Sequence, residues 1–106
     1  MNLPGEIIVI LSTAPPDRSG LLAKMLIDTR MVACVNIMPV RSFYSWKGEF
    51  CDEQEHLLIA KTTREKAGGV IAALKSQHPY EVPEIIVLPV IGGFPPYLEW
   101  VRQETH

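Results

Sequence analysis

The chain has only two cysteines, Cys34 and Cys51. That is too few for a disulfide framework, and neither sits in a C-x-x-C or zinc-knuckle spacing, so both read as free thiols of small apolar character. No apolar run approaches the roughly 20 residues that a membrane span requires. Basic residues are few and scattered: 10 Lys and Arg stand against 12 Asp and Glu, for a net charge of -2. Without a basic stripe the composition argues against a nucleic-acid partner. Repeats and low-complexity tracts are missing, and the Pro/Gly clusters at residues 3–5, 15–20 and 92–96 are turns. Also absent are a G-x-S-x-G elbow, a phosphate-cradling glycine loop and an H-E-x-x-H zinc helix. The start Met1-Asn2-Leu3-Pro4-Gly5-Glu6 lacks the basic region of a secretory signal, and the expectation is a cytoplasmic protein.

What is present is 106 residues with 47% hydrophobic content, enough for one core; the expectation is a single domain over residues 1–106. Residues 6–13 form a short β-branched run closed by Pro15-Pro16, which suits a central, buried strand. Asp17 or Ser19 is placed to cap a helix whose stripe is Leu21, Leu22, Met25, Leu26 and Thr29. Residues 32–38 read as a second strand, extended through Ser42-Phe43-Tyr44-Ser45-Trp46 to a turn at Lys47-Gly48, and residues 49–62 return as a third. Thr62 with Glu65 fits a capping box ahead of a second helix, with Ala67, Val70, Ile71 and Leu74 inward. Residues 84–90 repeat the composition of a buried strand, and Pro95-Pro96 opens a short terminal helix. The order β-α-β-β-α-β plus a tail helix is that of an α+β, ferredoxin-like sandwich.

Two helices cover only one face of a four-stranded sheet, and a bare apolar face is unusual on a monomer. Tyr44, Trp46, Tyr97 and Trp100 are therefore the expected contacts with further subunits, the alternative being that they fill the core of a single subunit. The segment His78-Pro79-Tyr80-Glu81-Val82-Pro83-Glu84 gathers an imidazole and two carboxylates where prolines stop the second helix. His78, Glu81 and Glu84 have the ligand types of a borderline divalent ion. Fully extended, His78 and Glu84 would lie about 20 Å apart, so a shared ion requires a folded turn or a second subunit. The structural alternatives are a hydrogen-bonded loop histidine and a Glu84 paired with Lys61. His56 sits among Glu53, Gln54 and Glu55, which read as an ordinary solvated strand face. Cys34 and Cys51 would make a two-thiol site for Cu(I) only if they met across the strands.

Ala33-Cys34-Val35-Asn36-Ile37 with Met38-Pro39, Tyr44-Ser45-Trp46-Lys47-Gly48-Glu49 running on to Lys61-Thr62, and the His78 to Glu84 segment together resemble the CutA divalent-cation-tolerance family. Tyr97-Leu98-Glu99-Trp100 resembles its tail. The resemblance implies a homotrimer of ferredoxin-like subunits, with the long second and third strands packed between subunits. It also implies a link to copper or other divalent-metal tolerance, without catalysis or a required cofactor. Ser12 and Gln77 stand where some bacterial members have cysteine and a second histidine. With those softer ligands missing, the implied binding is weak, to Cu(II) or another divalent cation through His78 and nearby carboxylates.

Two other readings stay open. One is a signalling trimer resembling the PII proteins, with Arg41, Lys47 or Lys61 facing a small anionic ligand in an intersubunit cleft. The other is an enzyme with a composite site of Lys61, His78 and Glu84.

Overall fold

The structure, a computed structural model, describes residues 6–106. Four strands, β1 (Ile7–Ala14), β2 (Cys34–Trp46), β3 (Glu49–Thr63) and β4 (Ile85–Pro89), alternate with helices α1 (Pro16–Asp28), α2 (Ala67–Gln77) and α3 (Pro95–Glu104). All pairings are antiparallel, in the order β2-β3-β1-β4. This is the ferredoxin-like α+β arrangement expected from the periodicities, with β1 central.

Strand alternation divides the sheet into two faces. Ile8, Ile10 and Ala14 of β1, with Leu58 and Ala60 of β3, meet Leu22 and Leu26 of α1 and Val70 and Leu74 of α2 in one core. Tyr97 of α3 lies against Cys34, whose rung partner is Lys61. Lys61 is one residue out of phase with core-facing Ala60, so α3 sits on the opposite face and buries Val101 there.

The helix starts differ from the sequence reading. Pro15 occupies the N-cap of α1, and no side chain caps it; the fixed φ of proline does the pre-organising. Ser19 instead turns its hydroxyl toward His56 Nδ1, 2.7 Å away. No capping box forms at Thr62: its hydroxyl donates to the Met31 carbonyl at 2.6 Å, and a 3-10 turn, Arg64–Lys66, leads into α2.

The feature that positions the site is the length of β2 and β3. Residues 56–63 of β3 pair with β1, whereas residues 40–46 and 49–55 pair only with each other. The result is a two-stranded arm that stretches the molecule to 44 × 27 × 22 Å. Its radius of gyration is 14.4 Å, against about 13 Å for a compact domain of this size. The arm closes through Lys47 (φ 50°) and Gly48 (φ 80°). Two consecutive positive φ values make a type I′ turn, whose twist matches that of the ribbon.

Candidate functional site

The chain between α2 and β4 is tied to β1. His78, 9% exposed, leaves α2 with extended backbone, as its following proline demands. Its Nδ1 accepts from the Tyr80 amide at 3.1 Å. The ring proton is therefore on Nε2, which donates to the Thr13 carbonyl at 2.7 Å. Farther along, Ser12 Oγ donates to the Glu84 carbonyl at 2.7 Å.

The same segment is tied to the arm. The Tyr80 hydroxyl donates to Glu55 Oε2 at 2.8 Å, and Lys47 Nζ lies 3.5 Å from a Glu81 carboxylate oxygen. Between arm and segment is a cavity of about 460 Å³, within the size range of small-molecule sites. Tyr44, Trp46, Tyr80, Glu55, Glu81 and Glu84 contribute to its lining, which contains no lysine, arginine or histidine.

Glu81 and Glu84 line the cavity, but His78 does not. Both His78 nitrogens are engaged with backbone. Among the described residues no group of three or more His, Cys, Asp or Glu is gathered as a metal-ligand cluster. Arg41 is clamped to Asp52 through two hydrogen bonds of 3.0 and 2.9 Å. Lys61 hydrogen-bonds Asn36 and does not reach Glu84. Neither cation borders the cavity.

Cys34 pairs with Lys61 and Cys51 with Tyr44. Ten rungs of β3 separate the thiols by about 33 Å, so a two-thiol Cu(I) site within one chain is ruled out. Tyr44, Trp46, Tyr97 and Trp100 are all part-exposed, between 38% and 41%.

Glu55 is the residue the sequence reading missed. It is 5% exposed, not part of a solvated face. Period-two spacing ahead of Leu57 and Ile59 was the signal that set it on a packed face. His56 likewise faces the other way, toward Ser19 of α1.

The carboxylates mark their tyrosine neighbours. Burial first, then the hydrogen bond to Glu55, holds the Tyr80 phenol above its ordinary range. The hydrogen bond to Glu53 first, then burial, does the same for Tyr44. Burial first, then Cys34, raises Tyr97. Each shift favours the neutral phenol in the folded state. The stabilisation is complete below the ordinary phenol value near 10 and is lost as pH rises from there through the higher folded values. An absorbance titration at 295 nm is expected to find all three tyrosines ionising late, with Glu55→Gln returning Tyr80 part of the way. Tyrosines that ionise at the ordinary value in the folded protein contradict these pairings.

The antiparallel sandwich, its protruding arm and the cleft at the arm's root define a class of small α+β proteins, and that class has solved members. A PII-like CutA protein from Nostoc superposes with a TM-score of 0.90 at 37% identity, covering 93% of this chain and 97% of that one. CutA1 from Oryza sativa superposes with a TM-score of 0.92 at 38% identity, over 95% and 94% of the two chains. The family model of the CutA1 divalent ion tolerance protein matches residues 7–104, and the chain belongs to that family. A divalent-cation tolerance protein from Thermus thermophilus is 42% identical over 99 residues, 92% of this chain and 96% of that protein. The CutA protein of Mus musculus is 38% identical over 105 residues, 97% of this chain, which spans 59% of the mouse protein's length.

Proposed function

We propose that this protein is a cytoplasmic homotrimer acting in the response to divalent metal ions, copper among them, without catalysing a reaction. The arm is the observation that carries this reading. An isolated two-stranded ribbon is marginal in water, yet this one exposes Phe43 by 61% and Phe50 by 76%, along with Tyr44 and Trp46. A second copy of the chain supplies the missing packing, and three copies satisfy it in a closed ring.

Direct metal binding in this proposal is weak, because both nitrogens of the His78 ring are already engaged. An ion bound at His78 must displace either the Tyr80 amide or the Thr13 carbonyl from the ring. Either leaves a buried backbone group unsatisfied, at a cost of about 1–3 kcal/mol. Glu81 and Glu84 are the oxygen ligands of this reading, and they stand on the wall of a cavity that His78 does not line.

Calorimetric titration of the metal-free protein with Cu(II) and Zn(II), with mass by light scattering on the same sample, tests both halves. His78→Gln is the informative variant, because its amide can still donate to Thr13 while binding metal poorly. The expected result is a trimer with sub-millimolar binding that weakens in His78→Gln, Glu81→Gln and Glu84→Gln. A trimer without binding removes direct metal contact from the proposal; a monomer removes the assembly.

A further inference from the structure

We propose that Cys34 and Lys61 are a redox-sensitive pair, joined by a covalent bond between the cysteine sulfur and the lysine nitrogen once a peroxide oxidises the thiol. The strand register is the first reason. Cys34 and Lys61 stand directly opposite each other on β2 and β3, so their side chains leave the same face of the sheet side by side. The two also converge on one atom. Asn36, two residues along β2 and therefore on that face, accepts a hydrogen bond from Lys61 Nζ at its Oδ1. Cys34 Sγ lies 4.0 Å from the same oxygen. Staggered rotations near the end of the lysine stem carry the nitrogen from the amide to the sulfur while both strands stay in place.

The surroundings leave the pair to each other. Among the described residues Lys61 enters no ion pair, whereas Lys24, Arg41 and Lys47 each face a carboxylate. The ammonium is held by the neutral Asn36 amide, a contact easily exchanged. Cys34 is a free, half-exposed thiol, hydrogen-bonded to the Tyr97 hydroxyl of α3. Cys51 is ten rungs away on β3, so within one chain an oxidised Cys34 meets an amine and not a second thiol. The pair also stands twelve residues along β2 from Trp46, at the opposite end from the arm whose aromatics carry the assembly.

The chemistry takes two steps. In the first, the Cys34 sulfur attacks one oxygen of hydrogen peroxide, the O–O bond breaks and water leaves; the sulfur is oxidised by two electrons to a sulfenic acid and the peroxide is reduced. In the second, the neutral amine of Lys61 attacks that sulfur. The S–N bond forms as the S–O bond breaks, and a nitrogen proton leaves with the hydroxyl as a second water. Sulfenic acids condense in this way with a nitrogen held close to them. One peroxide is consumed, two waters are released, and the chain loses two hydrogens. A small thiol reverses the change by attacking the sulfur, which returns the amine and, after a second thiol, the free cysteine.

The inference is independent of the metal and trimer readings, and its test is run with a chelator present. The intact protein with Cys51→Ser, which leaves Cys34 as its one thiol, is treated with equimolar hydrogen peroxide and followed by intact mass and peptide mapping. The expected product is about 2 Da lighter, the mass of two hydrogens. It joins the peptides carrying Cys34 and Lys61 and reverts with dithiothreitol. Lys61→Arg keeps a cation on the same rung without a nucleophilic amine, and there the mass loss is expected to vanish while dimedone captures a sulfenic acid at Cys34. Cys34→Ser is expected to leave the mass unchanged. Uptake of oxygen at Cys34 with Lys61 still free, the same product in Lys61→Arg, or a thiol that stays unoxidised overturns the proposal. A disulfide between the Cys34 residues of two subunits overturns it as well, in favour of thiol coupling across the assembly.

Discussion

In the proposed trimer, Trp46→Ala is expected to weaken assembly by about 2–4 kcal/mol at each interface, the range for a buried aromatic anchor. That corresponds to a roughly 30- to 900-fold rise in the dissociation constant per contact. Trp46 lies at the far end of β2, beyond any rung shared with β1. Nothing in its own subunit depends on it for the core, which is built from β1, the inner half of β3 and the two helices. The monomer should therefore keep its secondary structure while the mass falls on dilution. Sedimentation at decreasing concentration, alongside circular dichroism, separates the outcomes. Unchanged dissociation takes Trp46 out of the interface; loss of structure without dissociation shows that the ring supports its own subunit.

His78→Ala should act on the subunit itself, costing about 2–4 kcal/mol of folding stability. Truncation removes a ring that is 9% exposed and orphans both the Thr13 carbonyl and the Tyr80 amide. Each unsatisfied backbone group costs about 1–3 kcal/mol, and water entering the space left by the ring recovers part of it. His78→Gln should restore the contact to Thr13 and return about half of the loss. Urea unfolding midpoints of the three proteins provide the check. A histidine serving chiefly as a metal ligand would behave otherwise: alanine and glutamine would cost the apo protein equally little, and the difference would surface only with metal present.

The contrast at His78 shows where sequence reading stopped. Periodicity identified the strands and helices, because apolar spacing of two or between three and four directly records which face is buried. The stop at His78-Pro79 was equally plain, since proline leaves little choice. The partners of the His78 ring were not legible. Thr13 lies 65 residues away in sequence, and only the antiparallel placement of β4 beside β1 brings residues 78–84 to it. Glu55 was hidden for a different reason. In a run of Glu, Gln and His, composition pointed to solvent while alternation pointed inward, and alternation prevailed because Tyr80 arrives from a distant segment with a hydroxyl to satisfy the carboxylate. Aromatic exposure along the arm was readable from Phe43, Tyr44 and Trp46; that no third strand accompanies this part of the ladder was not, since it follows from β1 being seven residues shorter than β3.

The turn at Lys47 and Gly48 constrains how this lineage can change. Because one unbroken register runs from Trp46↔Glu49 at the turn to Cys34↔Lys61 in the body of the sheet, a one-residue slip of either strand of the arm exchanges its two faces. Tyr44 and Trp46 would leave the face they share, and Phe43 with Ser45 would take it. Viable length variants of the arm should therefore differ by an even number of residues in each strand, added or lost as matched pairs, with the two-residue turn carried intact at the tip.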